Sequence, residues 1–169
     1  MTKLFTFVSK VHTWWISQSI LPFILSANLI GYVLGIPLIL LLINLDEESF
    51  GGPDLEKYGL WGAFLAVVVV APLLETLLGQ SWPIRLLQRW YPRDRFWLPL
   101  VASTLLFSAM HLSYSVWYAI AILPIGTVLS YTYLLYQERK GSSYWVTAGV
   151  HAVRNLIALG AGLLLDGKL

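Results

Sequence analysis

No cysteine occurs in the chain, which excludes disulfides, thiolate metal sites and a thiol nucleophile, so any metal would need histidine, carboxylate or water ligands. Charge is scarce as well: Asp, Glu, Lys and Arg are 12% of 169 residues, against 57% hydrophobic ones, and the mean hydropathy is +0.70. That balance excludes an ordinary soluble domain and defines an integral membrane protein. The net charge of +2 carries little information by itself, and no basic cluster marks a nucleic-acid partner. Internal repeats and low-complexity linkers are absent, and no cleaved signal peptide is expected from MTKLFTFVSKVHTWWISQS. What remains is length for about five, at most six, spans of ~20 residues each. The expected fold is an all-α polytopic membrane helix bundle, one membrane-embedded domain over residues 1–169.

From Ile20 to Leu45 there is no charged side chain, which gives span one. The turn-rich, acidic loop DEESFGGPDLEK follows. Span two starts near Tyr58, contains Glu75 and runs on into SWPIRLLQRWYPRDR, whose Trp82, Trp90 and Tyr91 suit an aromatic belt at headgroup level. The next uncharged stretch, Phe96 to Gln137, is about twice what one ~20-residue span needs, so two spans are expected, broken around LSYS at 112–115. Span five is Ser143 to Leu165. Lys and Arg are retained on the cytoplasmic side. Lys3, Lys10, Arg85, Arg89, Arg93, Arg95, Arg139 and Lys140 fall on one side of a five-span chain, opposite the acidic loop. The N-terminus is therefore read as cytoplasmic, in a multi-pass protein of a prokaryotic plasma membrane.

Subtracting the loops leaves four buried ionisable residues: Glu75, His111, His151 and Arg154. A charge at the centre of a membrane helix costs on the order of 3 kcal/mol, so such residues face a bundle interior, where they mark function. The bland reading of Glu75 is a structural carboxylate, protonated or paired with Arg154. Residues four apart share a helix face, and the pattern recurs in Thr76 with Gln80, Phe107 with His111, and His151 with Asn155. Small residues flank His151, and Pro72 precedes Glu75 and frees a backbone carbonyl that needs a local partner. A carboxylate beside an imidazole can orient and deprotonate water, as Glu75 and His111 could. His151 and Asn155 could supply the donors of an oxyanion hole. The parts describe a hydrolase in which water attacks directly.

The three motifs, Glu75 with Gln80, FSAMH ending in His111, and HAVRN from His151 to Asn155, resemble those of the CAAX prenyl protease and bacteriocin-processing (CPBP, or Abi) family. The family patterns are EExxxR, FxxxH and HxxxN or HxxxD. The resemblance spans Pro72 to Asn155 and implies an all-helical intramembrane endopeptidase. In it Glu75 and His111 activate water, while His151 and Asn155 bind the oxyanion. It implies a membrane-associated peptide or protein as substrate and the lipid bilayer as surroundings. Both metal-dependent and glutamate-only mechanisms have been argued for the family. A divalent metal such as zinc would take Glu75, His111 and His151 as ligands.

The first motif departs from the family. Thr76 and Gln80 stand where a glutamate and an arginine are usual, so an ion pair is expected to have become a hydrogen-bonding pair, with Phe107 and Arg154 in support. Arg154 could restore the missing positive charge or snorkel to an interface. The rival to an enzyme is an inactive protein of the same fold, serving in bacteriocin immunity or as a scaffold. A haem carrier with His111 and His151 as axial ligands is a third reading. Contact between Glu75 and His111 further requires the second helix to continue through Arg85, since a helix ending at Trp82 leaves the two at different depths.

Overall fold

Backbone N–H and C=O groups in lipid have no water to bond, so charge-free runs of this length close their hydrogen bonds internally, as helices. The computed structural model describes residues 10, 12–15, 17–42, 44, 47–91, 95–139 and 141–166, and among them every regular element is helical. Six helices carry the architecture: α1 Ile20–Leu42, α2 Gly59–Trp90, α3 Trp97–Ala109, α4 Val116–Ala121, α5 Leu123–Glu138 and α6 Ser143–Asp166. One-turn pieces at Glu47–Phe50 and Glu56–Tyr58 punctuate the acidic loop. Three segments, Ile20–Leu42, Gly59–Trp90 and Ser143–Leu164, are long and apolar enough to cross a membrane, and Trp97–Ala109 is a shorter apolar helix. Lys3, Asp46, Arg93 and Lys140 lie outside the described residues.

Helix α5 sits at the centre and is enclosed on nearly every face. Its Ile125, Val128, Leu129 and Leu135 join Phe23 and Ala27 of α1, Phe107 of α3 and Val146 and Val150 of α6 in one core. Trp15 caps that core by stacking on Phe23 and Tyr131. Helix α1 buries the stripe Phe23, Ala27, Asn28, Gly31 and Gly35. Its other faces leave Leu21, Leu25, Leu29 and Leu40 exposed, a patch that lipid solvates and water would not. Asn28 ties α1 to α6 by donating to the Val150 carbonyl at 3.2 Å.

Helix α2 continues unbroken from Gly59 to Trp90, as contact between Glu75 and His111 requires. It passes through two stretches of π winding, Phe64–Val70 and Thr76–Ser81, which bracket the α-helical turn Ala71–Glu75. Its last part, expected at an interface, is half core: Ile84 is fully buried against Tyr133 and Leu134, while Trp82 and Trp90 stay exposed. The break expected near residues 112–115 lies at 110–115, between α3 and α4. There Ser108 Oγ donates to the Ala119 carbonyl at 2.6 Å, and the Ser115 hydroxyl accepts from Tyr118 N–H at 2.9 Å, which caps α4.

Candidate active site

Three chain segments bring the site together. Glu75 ends the α-helical turn of α2, His111 stands just beyond the end of α3, and His151 lies one-third of the way along α6. Glu75 Oε2 lies 3.5 Å from His111 Nε2 and 3.6 Å from His151 Nε2. Both separations exceed the ~2.9 Å of a formed N–H···O bond, so the carboxylate faces two imidazoles without being locked to either. Exposure grades across the cluster: 23% of the Glu75 side chain is accessible, 12% of His111 and 5% of His151. Among the three, the carboxylate is the group that water reaches most easily.

His111 Nδ1 lies 2.8 Å from the Phe107 carbonyl. A carbonyl only accepts, so Nδ1 carries the proton, and in the neutral ring Nε2 turns a lone pair toward Glu75. The Phe107 ring stands against both imidazoles, with centroid distances of 5.0 Å to His111 and 5.5 Å to His151. It fits there because both of its walls are glycine. A Cβ on Gly79 or on Gly126 would come within 3.0 Å of the Phe107 ring.

The depth of Glu75 is held by side chains that bond the carbonyls of α2. In the first π stretch Ala71 N–H donates to the Ala66 carbonyl, five residues back. The next donor in that register would be residue 72, but Pro72 has no N–H, and the Val67 carbonyl is left without its helical partner. Asn155 fills the gap: its Nδ2 donates to Val67 O at 2.8 Å. Tyr144 O–H donates to the Leu73 carbonyl at 3.0 Å, and Ser103 O–H to the Gly79 carbonyl at 2.7 Å. One N–H of the Asn155 carboxamide is thus committed to α2, and the group carries a second.

Glu75, Phe107, His111, His151, Arg154 and Asn155 line one cavity of about 680 Å³. It runs along α6 past Ala158 and Gly162 and along α2 past Ala71 and Val67, to Pro53–Leu55 of the acidic loop. Arg154 does not pair with Glu75. Its guanidinium lies 3.7 Å over the Tyr32 ring of α1, and Nη1 is buried with no hydrogen-bond partner among the described residues.

The expected pairing of Thr76 with Gln80 is not formed. Both side chains are fully buried, and Thr76 Oγ1, Gln80 Oε1 and Gln80 Nε2 have no hydrogen-bond partner among the described residues. The spacing rule behind that expectation belongs to the α-helix, whereas Thr76–Ser81 winds with five-residue hydrogen bonds and turns its side chains to other neighbours. Both imidazoles point Nε2 at one carboxylate oxygen. Among the described residues no group of three histidines or carboxylates is arranged to hold a metal ion, and no step below passes through one.

Sequence reasoning passed over Tyr114 and Tyr118, whose rings lie 6.0 and 5.9 Å from His111 and line the cavity. The spacing His111, Tyr114, Tyr118 was a usable signal. It also passed over Asn28, a carboxamide in span one, and Tyr32, for which the sequence offers no signal at all.

A family model described as type II CAAX prenyl endopeptidase, Rce1-like, matches residues 57–157, which includes Glu75, His111, His151 and Asn155. No curated protein and no solved structure matches the chain.

Proposed function

The chain belongs to the Rce1-like family of type II CAAX prenyl endopeptidases, and from that premise we propose that it is an intramembrane endopeptidase whose nucleophile is a water activated by Glu75. The observation that carries the reading is the approach of one carboxylate oxygen to two imidazole nitrogens, at 3.5 and 3.6 Å, on the wall of a cavity between helices. A water on the cavity side gives one hydrogen to Glu75 Oε2 and the other to His111 Nε2, which leaves an oxygen lone pair for the scissile carbonyl. Glu75 takes the proton as the C–O bond forms. The oxyanion receives N–H bonds from His151 and from the uncommitted hydrogen of Asn155 Nδ2. Glu75 then returns the proton to the amide nitrogen as the C–N bond breaks, and the products are a carboxylic acid and an amine, the acid passing its proton to the amine on release.

The substrate in this reading is a membrane-associated peptide or protein. The chain crosses the plasma membrane several times with its N-terminus in the cytoplasm, which the basic residues Arg85, Arg89, Arg95 and Arg139, set apart from the acidic loop, support. One observation favours a second reading, an inactive scaffold or immunity protein: the first-motif positions Thr76 and Gln80 are unpaired. Glu75→Gln separates the two. It keeps the shape and removes the base, so an endopeptidase loses its cleavage products in a comparison of membrane-protein termini between wild-type and variant cells. An unchanged set of termini favours the scaffold.

A further inference from the structure

Arg154 is a cation without a counter-ion among the described residues. Ion pairs among the described residues join Lys57 to Asp54 and both histidines to Glu75, and none includes Arg154. Its neighbour is the Tyr32 face, 3.7 Å away, which holds the plane of the guanidinium but supplies no negative charge. Keeping an unpaired guanidinium inside a membrane bundle is costly unless something pairs with it during function. The cavity offers that opportunity, since Arg154 lines it together with Glu75, His111 and His151. On α6 it stands three residues after His151, on the same face and about 4.5 Å further along the axis. Among the described residues that line the cavity, Asp54 is the acidic side chain besides Glu75, and it is largely exposed beside Lys57.

We propose that Arg154 is the anchor for a carboxylate of the substrate, held one to three residues from the scissile bond, as the ~3.5 Å reach per extended residue allows. The inference rests on the endopeptidase reading for the meaning of the scissile bond. A guanidinium recognises a carboxylate through two parallel N–H···O bonds, which a lysine or a neutral amide cannot reproduce. The carboxylate has two sources, the substrate's own C-terminus or an acidic side chain close to the cleaved bond. Arg154 is a specificity residue in either case.

The test uses the full chain carrying Glu75→Gln in detergent micelles, so that binding is read without hydrolysis. The probes are N-acetyl-trileucine as the free acid, the same peptide as its C-terminal amide, and an amidated Leu-Asp-Leu peptide, with affinities measured by thermophoresis. The acid is expected to bind at least about tenfold more tightly than the trileucine amide. Arg154→Gln should abolish that preference, and Arg154→Lys should keep part of it. If the Asp-bearing amide binds as tightly as the acid, the anchor accepts a side-chain carboxylate; if it binds like the trileucine amide, the chain end is the ligand. Equal affinity for acid and amide on the otherwise unmutated chain overturns the proposal, as does a preference that survives Arg154→Gln. That first comparison holds even if Arg154→Gln does not fold. A clear acid preference in a protein that cleaves nothing counts against the endopeptidase reading and leaves the anchor standing.

Discussion

Asn155→Ala tests how α2 is held. The Val67 carbonyl loses its helical donor because position 72 is proline, and Asn155 Nδ2 replaces that donor at 2.8 Å. Removing the carboxamide leaves an acceptor inside the bundle with nothing to bond. Loss of one partner from such a pair costs about 1–3 kcal/mol when the remaining group is fully buried, and water in the cavity beside Val67 moves the expectation to the lower end. The value predicted for Asn155→Ala is about 1 kcal/mol, close to the upper range found for side-chain hydrogen bonds in membrane bundles. The same substitution in a Pro72→Ala background should cost almost nothing, because position 72 then has an N–H of its own to give to Val67. The assay is a double-mutant cycle on unfolding free energy in mixed detergent micelles, with a coupling term near 1 kcal/mol expected. Equal losses in the two backgrounds, within about 0.5 kcal/mol, would refute the assignment of the Asn155 bond to the proline gap.

Gly79→Ala places a Cβ within 3.0 Å of the Phe107 ring, whereas Gly160 has nothing within 4 Å. Alanine at a helical glycine gains up to about 1 kcal/mol, and overpacking costs about 1–3 kcal/mol. Gly160→Ala should therefore raise the thermal midpoint, while Gly79→Ala lowers it and slows cleavage by pushing Phe107 against the histidines; stabilisation by Gly79→Ala would show that the slot is loose. Gln80→Leu and Thr76→Val remove buried polar atoms that have no partner, so both should be neutral or stabilising by about 1 kcal/mol in the same unfolding assay, and a loss of that size would reveal a bond to these side chains.

Much of this site was legible because a membrane makes polar residues conspicuous. Within mostly apolar stretches, Glu75, His111, His151 and Asn155 stand out by chemistry alone, and α-helical spacing puts His151 and Asn155 on one face. The continuation of α2 past Trp82 also followed from sequence, by a depth argument, and the 3.5 Å contact between Glu75 and His111 agrees with it. The bond between Thr76 and Gln80 failed for a matching reason: it borrowed α-helical spacing for a segment wound as a π-helix. Nothing in LLGQS announces that winding, which arises from how α2 packs against α3, α5 and α6. The Arg154 to Tyr32 contact was equally out of reach, since it depends on where α1 lies against α6.

The π winding explains why the chemistry tolerates so irregular a helix. Three carbonyls of α2 near Glu75 are bonded by side chains from other helices: Val67 by Asn155, Leu73 by Tyr144, Gly79 by Ser103. Two of these donors lie on α6, the helix that carries His151, and the third on α3, the helix that leads into His111. The bonds that satisfy the backbone of α2 therefore also set its register against the two histidines. A regular α-helix would have closed its own carbonyls and been free to slide or rotate past its neighbours. The irregular one is fixed at the depth where a single carboxylate oxygen meets both imidazoles, and a misplacement of ~1 Å there is enough to cost about 10²-fold in rate.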